Sequence, residues 1–168
     1  LGRLSADEIA TTVGLLTASP RQGRLGIGWR TLMGRDDAHA ETPTLTIGGV
    51  STAFDALATA AGAGSAAVRT RMLDDLAAAA TPEEWDFLAR VIIGELRTGA
   101  LEGVLLDAVA RAADRGGDEV RRAAMLSGDL GETAVVALTR PPEALDAIGL
   151  RVGRGVMPML ASTASSVA

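Results

Sequence analysis

The stretch TPEEWDFLARVIIGELRTGALEGVLLDAVARA, residues 81–112, decides the fold, because it holds two amphipathic patterns around one corner. It opens with Thr-Pro-Glu-Glu, which combines an N-cap threonine, a proline at the first helical position and a glutamate at the third. The apolar residues that follow at helical spacing are Trp85, Leu88, Val91 and Ile92. This half of the stretch therefore predicts an amphipathic helix that begins after Thr81.

A glycine-rich corner separates this helix from the next. The corner contains Gly94, Arg97, Thr98 and Gly99, a combination of flexible backbone and charge that a plain helical hairpin does not need. Beyond it, apolar residues repeat with the spacing of one helical face at Leu101, Val104, Leu105, Ala108, Val109 and Ala112. The repeat predicts a second amphipathic helix, with an ion pair between Asp107 and Arg111 on its outer face.

Helical patterns continue towards the N-terminus. Ser5 and Glu8 form a capping box for a first helix. Ser65 is expected to cap a helix over residues 66–80, because serine is a preferred N-cap residue. Two more helices are predicted over residues 29–33 and 51–61, and the long loop between them is expected to include a few extended residues at 44–47.

Towards the C-terminus the helices become shorter. The spacing predicts helices over about residues 118–126 and from Leu130 to Leu138, with a last turn or two after a proline pair. From residue 149 the sequence is extended and glycine-rich. Because alanine is abundant and there are only two Trp, two Phe and no Tyr, we predict an all-α fold. The expected organisation is a compact multi-helix domain over residues 1–148, followed by a linker, 149–168.

Composition excludes several kinds of chemistry. The chain has no Cys, so it can form neither disulfides nor cysteine-ligated metal sites. All 16 basic residues are Arg, so lysine chemistry such as a Schiff base or a lysyl adduct is excluded. A net charge of −5 argues against a protein that coats nucleic acid with its whole surface. No signal peptide and no membrane span are expected, because the apolar runs are too short.

No catalytic constellation is evident in the sequence. The single histidine, His39, lies near Asp36, Asp37 and Glu41, a setting more typical of a solvated polar loop than of a metal site. No catalytic residue and no metal ligand are predicted. Paired carboxylates such as Asp74-Asp75 and Glu83-Glu84 fit solvated helix surfaces and helix starts better than acid–base chemistry.

One kind of corner recurs instead. Glycine interrupts the helical pattern at four corners, which are GRLGIG (23–28), GAGSAAVR (62–69), GELRTGALEG (94–103) and LSGDLGETA (126–134). The arginines near them are Arg24, Arg69, Arg71 and Arg97. Glycine allows close backbone approach, and a new helix presents free N–H groups and a positive dipole end, which suit phosphate. Because base-reading helices and stacking aromatics are lacking, these corners indicate a binder of nucleic-acid backbone without sequence preference.

The order and spacing of these segments resemble a known family. Together they resemble the N-terminal DNA-binding domain of ATP-dependent DNA ligases, with the bacterial or archaeal branch the nearest. The segments that carry the resemblance are RLGIGWRTL, GAGSAAVRTRMLDDL, the stretch 81–112, MLSGDLGETAVVAL and the tail GRGVMPMLA. The resemblance covers about residues 5–161. The Ala- and Arg-rich composition fits an actinobacterium-like source.

The resemblance implies an all-helical domain of two related halves that binds the minor-groove side of nicked duplex DNA. Its partners would be an adenylylation domain, whose first residues would lie in the segment 149–168, and an OB-fold domain of the same parent chain. The location implied is cytoplasmic and nucleoid-associated. The residues expected to contact DNA phosphates are Arg24, Gly26, Gly64, Ser65, Arg69, Arg97, Thr98, Gly99, Ser127, Gly128, Asp129, Leu130 and Gly131.

The sequence departs from the family's catalytic pattern in one respect. Family catalysis uses a lysine in a Lys-x-Asp-Gly motif, and this chain has no lysine. The resemblance therefore implies that ATP and Mg²⁺ serve the parent ligase, with no cofactor in this fragment. The alternative interpretation is a helical protein–protein interaction module whose glycine corners are only turns.

Overall fold

The computed structural model describes residues 1–35, 39–96 and 101–156. Within these ranges the regular structure consists of α-helices, without a strand, which confirms the all-α prediction. The helices are α1 (Ala6–Leu16), α2 (Trp29–Leu32), α3 (Ile47–Thr59), α4 (Ser65–Ala79), α5 (Pro82–Ile93), α6 (Leu101–Ala113), α7 (Gly117–Ser127), α8 (Leu130–Thr139) and α9 (Glu143–Asp146). Each of these described helices is too short or too polar to cross a bilayer.

The chain divides into two compact units near the start of α6. The first unit, Leu4–Glu102, contains α1 to α5. The second unit comprises the chain from Gly103 onward together with Leu1–Arg3, so it contains most of α6 and all of α7 to α9. The expectation that the domain has two related helical halves stays a prediction, because the division does not show whether the units are related.

The core of the first unit lies among α3, α4 and α5. Phe54 of α3, Leu73 of α4 and Leu88 of α5 are each at most 2% exposed and belong to one apolar cluster. Trp85 joins the same cluster, as its place in the apolar stripe of residues 85–92 predicts. The stretch that predicts the helix pair thus also supplies one wall of this core.

Two helix starts follow their predicted capping boxes. The Ser5 hydroxyl accepts from the Glu8 amide, and the Glu8 carboxylate accepts from the Ser5 amide in return. Thr81 and Glu84 repeat this arrangement at the start of α5, where Pro82 occupies the first helical position. Both boxes are confirmed, because they depend only on residues three apart.

The start of α3 corrects the sequence prediction. The helix begins at Ile47, four residues earlier than predicted, so Ile47 is helical, whereas Thr46 is extended, with φ −111° and ψ 155°. The Thr46 hydroxyl accepts from the Gly49 amide at 3.0 Å, so Thr46 is the N-cap. Gly48 and Gly49 resemble a break in the sequence, but burial of Val50 in the core outweighs the weak helix propensity of two glycines.

The start of α4 also differs from the prediction. Ser65 is the first helical residue, and the N-cap is Gly64, whose φ of 80° lies in the left-handed region. Glycine adopts this conformation without the steric cost that a Cβ would bring. The prediction that Ser65 caps the helix is therefore wrong.

In the second unit, α7 contacts both α8 and α9. The buried residues facing these contacts are mostly small, among them Ala123 and Ala124 of α7 and Ala134 and Ala137 of α8. The predicted pair of Asp107 and Arg111 is wrong, because Asp107 lies 2.5 Å from the guanidinium of Arg121. Arg121 comes from α7, so this contact is tertiary and outside the reach of helix spacing.

Core burial in α4 predicts a measurable difference between two neighbouring substitutions. Leu73→Ala should destabilise the first unit by about 2–5 kcal/mol, because Leu73 is fully buried. Val68→Ala on the same helix should change stability by less than about 0.5 kcal/mol, because Val68 is 47% exposed. Urea unfolding followed by tryptophan fluorescence measures this directly, since Trp29 and Trp85 both lie in the first unit. Equal effects of the two substitutions would contradict this description of the core.

Candidate nucleic-acid interface

The corner at residues 23–28 has one residue buried in the core, while the residues on either side of it are exposed to solvent. Leu25 is 3% exposed and belongs to the core cluster of the first unit. Its neighbours Arg24 and Gly26 are exposed, and Gly26 has a left-handed φ of 64°. The buried leucine thus fixes a short loop that presents one guanidinium and one bare stretch of backbone to solvent.

Arg69 of α4 ties this corner to the neighbouring helix. Its guanidinium donates a hydrogen bond to the backbone carbonyl of Leu25. The same guanidinium lies 3.6 Å from where a Cβ on Gly26 would sit. The structure therefore brings Arg69 next to Arg24 and Gly26, two predicted contact residues that precede it by more than 40 positions in the sequence.

A cavity of about 600 Å³ lies beside this corner. Residues 23–27 line one part of it, and the last residues of α5, Val91 to Gly94, line another. Gly94 opens the corner GELRTG, so two of the four glycine corners border one cavity. The α5 end contributes carbonyl groups rather than N–H groups, so the anion-binding character here comes from arginine. Arg97, Thr98 and Gly99 lie outside the described residues.

The corner at residues 62–65 leads directly into a helix N-terminus. Gly64 has no side chain with which to cap α4. The Ser65 N–H donates to the Gly62 carbonyl at 3.2 Å, so the first-turn N–H groups that depend on solvent or a ligand are those of Ala66 and Ala67. Ser65, in that first turn, is half-buried. Arg69 follows four residues later on the same helix face. The start of α4 therefore combines free backbone donors with a guanidinium one turn away, as an anion site requires.

The corner at residues 127–131, in the second unit, is built around a buried polar network. The Ser127 hydroxyl lies 3.0 Å from that of Thr133, and both residues are fully buried. Ser127 also accepts from the Asp129 amide, while Thr133 donates to the Asp129 carbonyl at 2.8 Å. Ser127 is thus placed to shape the corner from within, while Gly128, Leu130 and Gly131 are half-buried.

Asp129 is the N-cap residue of α8. Its carboxylate accepts from the Glu132 amide at 2.9 Å and lies 2.7 Å from the guanidinium of Arg154. Burial alone would raise the pKa of Asp129, but the Glu132 amide and the Arg154 guanidinium together hold that pKa below its usual value. The start of α8 therefore already carries a negative charge, unlike the start of α4.

Two arginines missed as contacts in the sequence complete this corner. Arg151 lies 2.6 Å from Glu132, and Arg154 contacts Asp129, although the sequence places both arginines in a linker. A signal was present in the spacing. Two acidic residues three apart on α8 are matched by two basic residues three apart in the tail.

Within the part of the chain that the structure describes, fold and corners together define an all-helical module with arginines at its glycine turns and a helix, α4, that starts without a side-chain cap. Residues 29–110 match the family described as DNA ligase N terminus. The chain belongs to this family.

The similarity extends to full-length relatives. The chain is 58% identical over 99% of its length to a probable DNA ligase of Pseudarthrobacter chlorophenolicus. It is 52% identical over 99% of its length to one of Anaeromyxobacter dehalogenans, and 48% identical over its whole length to one of Rhodococcus opacus. In each case the chain spans 33% of the relative's length.

The ion pair of Asp129 predicts a specific titration. The carboxyl should titrate below its ordinary value of 3.8, and Arg154→Gln should raise its pKa. The sign of the linkage follows: the pair stabilises the corner above pH 3.8, and this stability is lost as the pH falls through the lowered pKa. NMR titration of the side-chain carboxyl carbons measures both values. A pKa unchanged by Arg154→Gln would contradict the contact.

Proposed function

We propose that this chain is the DNA-positioning domain of an ATP-dependent DNA ligase. It binds nicked double-stranded DNA through the phosphate backbone and the minor-groove side, without sequence preference. The observation that carries the proposal is the match to probable DNA ligases along nearly the whole chain, at up to 58% identity. Its role is to hold the nick in register while the rest of the parent protein joins the strands.

The chemistry of the reaction is assigned to other parts of the parent. The matched relatives are about three times as long as this chain, which leaves room for the adenylylation and OB-fold domains. This chain has no lysine to carry AMP. ATP and Mg²⁺ are accordingly proposed as cofactors of the parent, which would act in replication, repair and recombination of DNA.

The geometry of the first unit supports a contact with phosphates. The exposed Arg24, the backbone at Gly26 and the guanidinium of Arg69 lie together. The first turn of α4, which follows Gly64 and Ser65, presents the unpaired N–H groups of Ala66 and Ala67 one turn from Arg69. These groups can recognise a phosphate in any sequence. A ligase must seal breaks regardless of the neighbouring bases, so contact with phosphates alone meets the requirement.

The acidic net charge fits a binding surface confined to one face. We place Asp114, Asp118 and Glu119 on the side away from DNA; Asp118 is already paired with Arg121 at 2.9 Å. With repulsion from the acidic remainder, the isolated chain should bind DNA weakly and depend on the other domains of the parent for affinity.

The salt dependence of DNA binding tests the proposal. The chain should bind nicked duplex more tightly than intact duplex of the same sequence, and the logarithm of its affinity should fall with the logarithm of salt concentration by about 0.9 per phosphate contacted. Fluorescence anisotropy at several salt concentrations measures both. Absence of salt-dependent binding to any duplex would contradict the proposal.

Two arginine substitutions locate the surface. Arg24→Gln should weaken binding to all sequences alike and lower the salt slope by about 1, while helicity and melting stay unchanged. Arg97→Glu, at a position outside the described residues, should reduce binding more strongly because it reverses the charge. The control is Arg90→Gln, which removes an exposed arginine that pairs with Asp86. Equal losses in Arg24→Gln and the control would place the DNA elsewhere.

A second function is favoured by one observation. A groove of about 550 Å³ in the first unit is lined by Trp29, Leu32, Met33 and Trp85, and the side chains of Trp29 and Met33 are more than half exposed. Exposed apolar residues around a groove are typical of protein–protein contacts. If the groove is a protein-binding surface, Trp29→Ala should leave DNA binding unchanged; a loss of DNA binding as large as that of Arg24→Gln would instead make the groove part of the DNA surface.

A further inference from the structure

The segment of residues 150–156, here called the strap, lies against the corner 127–131 of the second unit. Arg151 reaches both oxygens of the Glu132 carboxylate, at 2.6 and 2.8 Å. Arg154 contacts the Asp129 carboxylate at 2.7 Å. These partners lie 19 and 25 residues away in sequence, so the strap folds back onto the start of α8.

The backbone of the strap lies directly over Gly128. A Cβ added to Gly128 would clash with the carbonyl oxygen of Gly155, at a separation under 3.0 Å that real side chains do not reach. Only glycine at position 128 therefore allows this approach. The residue predicted to offer bare backbone to a phosphate is instead covered by the chain's own backbone.

Charge, not apolar packing, holds the strap in place. Its apolar side chains Leu150, Val152 and Val156 are 71%, 108% and 53% exposed. The Arg154 amide donates to the Arg151 carbonyl at 3.1 Å, which forms a turn that presents both guanidinium groups to α8. Contacts of this kind are exchangeable, because exposed ion pairs are weak and are screened by salt.

We propose that the strap is an electrostatic latch on the corner 127–131. In the absence of DNA, Asp129 pairs with Arg154 and Glu132 pairs with Arg151, and the strap covers Gly128. When DNA reaches this corner, its phosphates bind both arginines in place of the two carboxylates, and the strap dissociates from α8. DNA binding at the corner is thereby coupled to release of the strap and to the direction in which the chain continues after it. This release by DNA rests on the proposed function, whereas the contact of the strap with α8 does not.

Spin labels can follow the latch, since the chain has no cysteine of its own. We would label Val156→Cys and Thr139→Cys, two exposed positions on the strap and at the end of α8. Double electron–electron resonance at low salt should give one narrow distance distribution. It should become broad in 1 M NaCl, in Arg151→Glu, and on addition of nicked duplex.

Two further variants separate the latch from general charge effects. Glu132→Arg combined with Arg151→Glu should restore the narrow distribution, because the pair is re-formed with reversed charges. Arg122→Glu, an exposed change of equal charge on α7, should leave it narrow. A broad distance distribution at low salt in the labelled chain without further substitutions, or a narrow one in Arg151→Glu, would overturn the latch.

DNA binding measured on the same samples distinguishes the two proposals. Arg151→Gln and Arg154→Gln should each lower the salt slope by about 0.9 if each arginine takes one phosphate. DNA that binds but leaves the distance narrow would overturn release of the strap, with the proposed function intact. If no DNA binds, the proposed function fails and the exchange with DNA fails with it, while the distances alone still decide whether the latch exists.

Discussion

The hydrogen bond from Arg69 to the carbonyl of Leu25 is the contact on which the proposed interface depends. It joins a loop to a helix more than 40 residues later, and it works because Leu25 is itself fixed in the core. Together with the burial of Leu25, it sets the position of Arg24 and Gly26 relative to the start of α4. The bond also leaves Arg69 half-buried, with a planar donor group held at the corner where an anion would arrive.

The helix starts of α4 and α8, both at glycine corners, are chemically different. At α4, Gly64 leaves the N–H groups of Ala66 and Ala67 to solvent or a ligand. At α8, Asp129 supplies a carboxylate of its own, and Arg154 neutralises it. The sequence pattern of a glycine followed by a helix is similar in the two cases, yet one corner is open and the other is closed by the chain itself.

Local signals explain what could be predicted from the sequence. The capping boxes at Ser5 and Thr81 and the apolar stripe of α5 involve residues a few positions apart, and the structure has them as predicted. The start of α3 was misplaced because burial of Val50 outweighs two glycines. The partner of Asp107 and the contacts of Arg151 and Arg154 depend on helix packing and chain reversal, which no local spacing encodes.

The most direct test of the central claim is an NMR titration of the isotope-labelled chain with nicked duplex at low salt. If phosphates bind at the glycine corners, the amides of Gly26, Ala66 and Ala67 should shift first and most, and the shifts should disappear at high salt. Shifts confined instead to the groove around Trp29 and Met33, with those three amides unmoved, would contradict the account.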